Sequence, residues 1–147
     1  MSEQYLYIVG VDGSDPSRRA VEFAARHAVH SGATLLLAHI VSWSGFTPIS
    51  VSEAMRRPLD KKEEEKIARE KVLAPLAAVA REITGTEPDL YHSWGHPAQV
   101  LKKLGRERGA EMIFVGRRGH SSIAEIFMGS VSNAIAHASD VPVVLVP

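Results

Sequence analysis

The sequence predicts a single α/β domain with a five-stranded, doubly wound parallel sheet and helices on both faces. Short, nearly continuous apolar segments recur along the 147 residues, and such segments are typical of strands buried on both faces. Amphipathic segments with helical periodicity separate them, and right-handed crossovers between such units build a doubly wound sheet. The length fits one domain that spans residues 1–147.

Four apolar segments predict strong strands, and a fifth predicts a weaker one. Gly, Ser or Asp follows closely after three of the strong segments, as expected where strands end. Ligands of doubly wound sheets bind outside the carboxyl ends of the strands, so we expect the site just after Val11, Val41 and Val115. The predicted strands are Tyr5–Val11, Thr34–Val41, Met112–Val115 and Val141–Val146, with Asp89–Trp94 as the weaker one.

Four helices are expected between the strands. The first has Asp15 as its predicted N-cap, Pro16 at the first helical position and Gly32 as its stop. The others are expected over residues 59–83, from residue 97 to a stop at Gly109, and over residues 130–138. One long irregular stretch, residues 42–58, follows the second strand and is either a lid over the site or a plain connector.

Composition excludes several classes of function. The 17 basic residues cancel the 17 acidic residues, so the chain has no net attraction for nucleic acid or for an anionic membrane. It contains no cysteine, which excludes disulfides and thiol chemistry. The N-terminal residues lack the basic and long apolar segments of a signal peptide, and a cytoplasmic location is expected.

A glycine-serine segment carries the strongest functional signal. Gly116 and Gly119 follow a predicted strand, and Gly129 and Ser130 open the last predicted helix. Glycine lets a ligand approach the main chain closely, and the free N–H groups of a helix N-terminus favour a phosphate. The spacing therefore predicts a phosphate-binding loop, to which Ser132 can add a hydroxyl donor.

This segment matches neither of the two commonest phosphate loops. The chain has no GxxxxGK[ST] sequence and therefore no P-loop lysine, and no GxGxxG follows the first strand. The corresponding turn, GVDGS, instead places Asp12 at the end of that strand. A carboxylate there suits a ribose hydroxyl, an adenine amino group or a metal ion better than it suits an unshielded phosphate.

The pattern G-x2-G-x9-G-S, between an apolar strand and a final helix and strand, resembles the ATP-binding branch of the universal stress protein family. The resemblance extends over essentially the whole chain, from GVDGSDPSRRAVEFA to GSVSNAIAHASDVPVVLVP. The sheet order is expected to be 3-2-1-4-5. As cofactor, the resemblance implies ATP, or ADP or AMP, with Mg2+ as a further candidate. The implied nucleotide-binding residues are Val11, Asp12, Val41, Val115, Gly116, Arg118, Gly119, Gly129, Ser130, Val131 and Ser132.

The resemblance also implies a homodimer through the last strand, residues Val143, Val144, Leu145 and Val146. Pairing with a second copy would cover an apolar edge that otherwise favours aggregation. No acidic partner accompanies His92 and His96, and His39, in an apolar strand, is predicted to be a hydrogen-bonded core residue. His120, beside the glycine-serine segment, is the one histidine placed to reach a phosphate.

Three functions remain open from the sequence. The first is a nucleotide-binding regulatory protein, a sensor or adaptor in a stress response with little turnover. The second is a slow ATPase or phosphotransferase that uses the same site, although such chemistry needs a metal carboxylate and a positioned nucleophile. The third is an interaction module that binds no nucleotide.

Overall fold

The computed structural model describes residues 4–42, 62–119 and 129–147. Five strands alternate with helices along these ranges, and residues 62–67 and a π-helical turn, Ala68–Leu73, precede the second helix without a break. The elements are β1 (Leu6–Gly10), α1 (Asp15–Ser31), β2 (Thr34–Ser42), α2 (Ala74–Thr84), β3 (Asp89–Gly95), α3 (Pro97–Glu107), β4 (Met112–Gly116), α4 (Ser130–Ala138) and β5 (Val143–Val146).

All five strands form one parallel sheet in the order β3-β2-β1-β4-β5, which confirms the predicted fold class and strand order. The central strand β1 pairs on both sides, with Ile8 opposite Leu36 of β2 and Ile113 of β4. The strand order reverses beside β1, because the chain continues from β1 to β2 on one side and returns to β4 on the other. The carboxyl ends of β1 and β4 therefore border the position where ligands bind in such sheets.

Two apolar clusters cover the two faces of the sheet. Alternation along each strand sends neighbouring side chains to opposite faces, so Val9 packs in one cluster and Ile8 in the other. Helices α1 and α2 cover the first face, and α3 and α4 cover the second. Among the described residues, no helix is long and apolar enough to cross a membrane.

Helix α1 begins one residue before the predicted position. Ser14, with extended backbone angles, is the N-cap, and its Oγ accepts a hydrogen bond from the Ser17 N–H at 3.3 Å. The prediction of Asp15 as N-cap was wrong because Asp12 binds the Ser14 N–H and hydroxyl, which holds Ser14 in the extended capping conformation. The stop at Gly32 is confirmed by its left-handed conformation, φ 75°.

The predicted helix over residues 59–83 is confirmed in the described residues 62–84, but it contains a π-helical turn. The buried residues of that turn, Ala68 and Leu73, are five positions apart, which matches a helix with hydrogen bonds between residues i and i+5. A π-helical turn holds one residue more than an ordinary helical turn, and the apolar periodicity of the sequence does not reveal where that extra residue lies. Residues 59–61 and the irregular stretch, apart from Ser42, lie outside the described residues.

Candidate functional site

A cavity of about 230 Å³ opens at the carboxyl ends of β1, β2 and β4. The N-terminal turns of α1, α3 and α4 complete its wall, so three strand ends and three helix starts converge on it. Every predicted nucleotide-binding residue except Val41 lines the described part of this cavity. The location deduced from the strand ends and from the glycine-serine segment therefore coincides with this cavity.

Ile40 lines the cavity in place of its neighbour Val41. Ala38 and Ile40 belong to the apolar cluster on the α3 and α4 face of β2, and Val41 follows Ile40 in a strand where side chains alternate. The side chain of Val41 consequently points toward the other face of the sheet. The cavity is also lined by residues that were not predicted from the sequence, namely Gly10, Ser17, Ala38, Pro97 and Leu101.

Asp12 is fixed at the rim of the cavity by the start of α1. Its Oδ1 accepts a hydrogen bond from the Ser14 N–H at 2.9 Å and a closer one from the Ser14 hydroxyl. The Asp12 N–H donates to Ser17 Oγ at 3.4 Å, and Ser17 is only 2 % exposed. These contacts give the carboxylate one orientation before any ligand is bound.

Two glycines of the segment after β4 allow close approaches that a side chain would prevent. A Cβ on Gly116 would lie 2.8 Å from both the carbonyl carbon and the Cβ of Pro16. A Cβ on Gly119 would lie 2.8 Å from Oδ2 of Asp12. The end of β4 is therefore packed directly against the first turn of α1, where glycine is required at position 116 for lack of space, and Gly119 lies against the Asp12 carboxylate.

The two ends of the glycine-serine segment are joined through the main chain of Arg117. Its N–H donates to the Val146 carbonyl of β5 at 2.7 Å, and its carbonyl accepts from the Gly129 N–H at 2.8 Å. The Ser132 hydroxyl donates to the same carbonyl at 2.6 Å. Through these bonds the end of β4, the end of β5 and the start of α4 form one connected unit.

The glycine-rich end of the cavity presents a positive charge and free hydrogen-bond donors. Arg118 lines the glycine-rich end, and its Nε is buried with no hydrogen-bond partner in the described structure. The first turn of α4, with Ser130 exposed, borders the same end and contributes N–H groups that have no partner within the helix. An anion at this end would satisfy donors that the protein itself leaves available.

His39 is confirmed as a hydrogen-bonded residue of the sheet. Its Nδ1 lies 2.7 Å from the carbonyl oxygen of Val11, and because a carbonyl only accepts, Nδ1 carries the hydrogen. The Val11 N–H in turn donates to the Ala38 carbonyl at 2.9 Å. Both main-chain groups of Val11, the residue before Asp12, are thus bound to β2.

Metal ligation and triad chemistry have little support in the described residues. In ranges 4–42, 62–119 and 129–147, no group of three or more His, Asp or Glu side chains is arranged to hold a metal ion. Ser14, His120 and Asp12 have the side-chain types of a Ser-His-Asp triad, but the sequence contains no G-x-S-x-G motif and His120 lies outside the described residues. Ser14 already donates its hydroxyl hydrogen to Asp12 and caps α1, so the structure gives it a structural role.

Comparison with known proteins places this chain in one family. The profile described as the Universal stress protein family matches residues 8–147. A universal stress protein of Bacillus subtilis, YxiE, is 30% identical over 143 residues, which are 95% of this chain and 96% of that protein. This chain and that relative are therefore similar over nearly their full lengths.

Solved structures share the same fold. The universal stress protein UspA from Lactobacillus plantarum superposes with a TM-score of 0.79 at 17% identity, covering 99% of this chain and 100% of that one. A universal stress protein solved in complex with cAMP is 27% identical, with a TM-score of 0.65, covering 99% of this chain and 98% of that one. An adenine nucleotide is thus a ligand of at least one protein with this architecture.

Proposed function

Because the chain belongs to the universal stress protein family, we propose that it is a regulatory protein that binds an adenine nucleotide and acts as a nucleotide-dependent sensor or adaptor in a stress response. The observation that carries the proposal is the cavity at the strand ends. It joins an apolar floor to a rim of fixed polar groups. A nucleotide likewise joins an apolar base to a polar ribose and charged phosphates. The relative solved with cAMP supports an adenine nucleotide as the ligand class.

The apolar side of the cavity suits the base. Ala38, Ile40 and Leu101 are at least nine-tenths buried and line this side, where they offer a surface without charge to a flat aromatic ring. Asp12 stands at the rim with an oriented carboxylate, which accepts hydrogen bonds from ribose hydroxyls or from an adenine amino group. These groups would fix the nucleoside without any contact to its phosphates.

The glycine-rich end suits the phosphates. Arg118 brings a positive charge and a buried Nε without a partner, and Gly129 and Ser130 begin the helix whose free N–H groups favour an anion. We propose ATP as the nucleotide, with ADP and AMP as the alternatives. Asp12, the acidic residue of the described lining, is the group that would accompany a Mg2+ ion bound to the phosphates.

Retention of the nucleotide is favoured over its turnover. Efficient phosphoryl transfer needs a metal carboxylate, charge stabilisation and a positioned nucleophile or base. Asp12 is the acidic residue in the described lining, and it would have to serve as both metal ligand and base. A slow ATPase or phosphotransferase is therefore the second candidate, and it would show as phosphate release that an Asp12→Ala variant loses while it still binds ATP.

The decisive experiment identifies small molecules carried by the purified native protein by mass spectrometry and then measures the shift of Tm on adding ATP, ADP or AMP. We expect an adenine nucleotide and a rise in Tm. Gly129→Val should abolish the rise, because even a Cβ there would lie 3.3 Å from Arg118 Cα and Gly119 N. Ala136→Val, an exposed position of the same helix, is the matched control. A protein that carries no nucleotide, and whose Tm none of the three nucleotides raises, would instead be an interaction module.

We also propose that the protein is a homodimer that pairs through β5. Among the described residues β5 pairs with β4 alone, so its other edge presents unpaired main-chain groups beside the apolar residues Val143 and Leu145. A second copy related by a twofold axis can pair with that edge without leaving a new one exposed.

A cytoplasmic location remains part of the proposal, and the absence of cysteine supports it because such a chain needs no oxidising compartment.

A further inference from the structure

His39 binds the main chain that follows β1 at the point where this strand leaves its neighbour. β1 ends at Gly10, whereas β2 continues to Ser42. Beyond the end of β1, the Val11 N–H still donates to the Ala38 carbonyl at 2.9 Å, and the Val11 carbonyl accepts from Nδ1 of His39 at 2.7 Å. An imidazole therefore continues the connection between the two strands past the end of their pairing.

The imidazole leaves β2 on the side of the sheet opposite the cavity. Ala38 and Ile40 belong to the cluster under α3 and α4, and both line the cavity. Because side chains alternate along a strand, the side chain of His39, which stands between them, points to the other face. His39 is not part of the described lining of the cavity. It can therefore affect a ligand there through the group that it holds.

The group that His39 holds is the peptide between Val11 and Asp12. A peptide group is planar, so the Val11 carbonyl, the Asp12 N–H and the Asp12 Cα move together. The carbonyl is bound by His39 at 2.7 Å, and the N–H donates to Ser17 Oγ at 3.4 Å. The plane that carries Asp12 is thus held from β2 on one side and from α1 on the other.

We propose that His39 is a positioning residue that sets the place of the Asp12 carboxylate at the rim of the cavity. Ser14 binds Oδ1 of that carboxylate and so orients the side chain relative to the start of α1. The bond from His39 ties the main chain of the same residue to the sheet. Together they supply in advance the ordering that a ligand of Asp12 would otherwise have to impose. The effect on binding rests on the proposed nucleotide function, whereas the hydrogen bond does not.

Two substitutions of His39 separate the hydrogen-bond donor from the ring that carries it. An asparagine side chain can place its NH2 group where Nδ1 of the imidazole lies, whereas glutamine places its NH2 group nearer the position of Nε2. His39→Asn should therefore keep the bond to Val11, and His39→Gln should lose it.

Loss of one neutral hydrogen bond corresponds to about a fivefold change in an equilibrium. In the ligand-free protein, His39→Gln should raise the hydrogen-exchange rate of the Val11 amide by about this factor, because the end of β1 is then less firmly held. Affinity for AMP and for ATP should fall about fivefold as well. The two losses should be equal, since Asp12 would contact the nucleoside that both ligands share.

The experiment combines NMR of the ligand-free protein with calorimetric titration of AMP and ATP. In the wild type the neutral imidazole of His39 should carry its hydrogen on Nδ1, which the nitrogen chemical shifts report. His39→Asn should retain slow exchange and most of the affinity. In an Asp12→Ala background, His39→Gln should cost almost no further affinity. His92→Gln, at the position opposite His39 on β3, is the matched control and should change neither quantity.

Three results would overturn the proposal. One is a wild-type protein in which the neutral ring of His39 carries its hydrogen on Nε2, a measurement that needs no variant. Another is an equal loss of affinity in His39→Asn or His92→Gln and in His39→Gln. The third is unchanged affinity in His39→Gln despite faster exchange at Val11. A protein that binds neither AMP nor ATP would refute the proposed function, and the tautomer and the exchange rates would still decide whether His39 holds the peptide of Asp12.

Discussion

The carboxylate of Asp12 faces the backbone of Gly119 so closely that a β-carbon on Gly119 would lie 2.8 Å from Oδ2. Asp12 follows β1, whereas Gly119 follows β4, and the two strands are neighbours in the sheet. This contact joins the nucleoside end of the proposed site to its phosphate end. A substitution at either residue should therefore change the position of the other.

We expect Gly119→Ala to weaken nucleotide binding by roughly tenfold, because the added methyl group must displace the carboxylate that Ser14 holds in place. The fold should be little affected, since the crowded atom is the end of a side chain. Calorimetric titration with ATP measures the effect. In an Asp12→Ala background the same substitution should cost almost nothing, and a full additional loss there would show that Gly119 acts independently of Asp12.

Ser14→Ala should lower the free energy of unfolding by about 1 kcal/mol, the usual cost of replacing a serine N-cap by alanine. The variant loses the bond from the Ser17 N–H and also the hydroxyl contact to Asp12, so nucleotide affinity should fall as well. Urea denaturation gives the stability. Ser14→Thr keeps both functions of the hydroxyl and should stay near the wild type, whereas equal stability of the two variants would contradict the capping role.

The pair Arg106 and Asp140 should make stability depend weakly on pH. The two exposed groups lie 2.7 Å apart, and the hydrogen bond from Arg106 holds the pKa of Asp140 below its usual range. Because the folded-state pKa is lowered, the stabilisation is present above the ordinary carboxyl pKa and is lost as pH falls through the lowered pKa.

An Asp140→Asn variant tests this dependence. Near neutral pH the wild-type protein should be slightly more stable than the variant, and the difference should shrink in strong acid and in concentrated salt, which screens exposed charges. Denaturant unfolding of both proteins across pH measures the difference. A difference that stays constant down to strong acid would show that the carboxylate charge is not its cause.

The dimer proposed through β5 can be tested at one main-chain group, the N–H of Leu145. The carbonyls of Pro142 and Val146 accept hydrogen bonds from β4 and from the residue that follows it. The alternating main-chain groups of Val143 and Leu145 therefore face the open edge of β5. Leu145→Pro should remove an N–H from that edge while it preserves the pairing with β4.

Sedimentation velocity at micromolar protein concentration should then show a dimer for the wild type and a folded monomer for Leu145→Pro. Circular dichroism checks that the variant is folded. A wild-type protein that sediments only as a monomer would remove the basis for the dimer proposal, and a dimeric variant would place the interface elsewhere.

Most of the fold follows from the sequence, because buried parallel strands are nearly continuous apolar runs and each predicted strand differs from the observed one by a residue or two at its ends. The details that were missed depend on atoms distant in sequence or on local hydrogen bonds. The N-cap fell on Ser14 because Asp12 binds it, and the π-helical turn shifts the helical period by one residue.

The location of the candidate site could also be predicted, because the carboxyl ends of β1 and β4 and the start of α4 are visible as sequence patterns. Its lining could be predicted only in part. Ile40 replaces Val41 in the cavity because the face of β2 that borders it depends on where α3 and α4 pack. The contribution of Leu101 likewise depends on the packing of α3, which has no local signal in the sequence.

The cavity has a consequence for how the chain folds. Its wall takes residues from Gly10, near one end of the sequence, to Ser132, near the other, so only a chain whose last helix has docked possesses the complete site. A ligand that binds only there lowers the free energy of the native state and does not stabilise partly folded forms. If the proposed nucleotide is that ligand, its concentration would lengthen the time that a newly made chain survives proteolysis, and the abundance of the protein would follow the supply of the nucleotide.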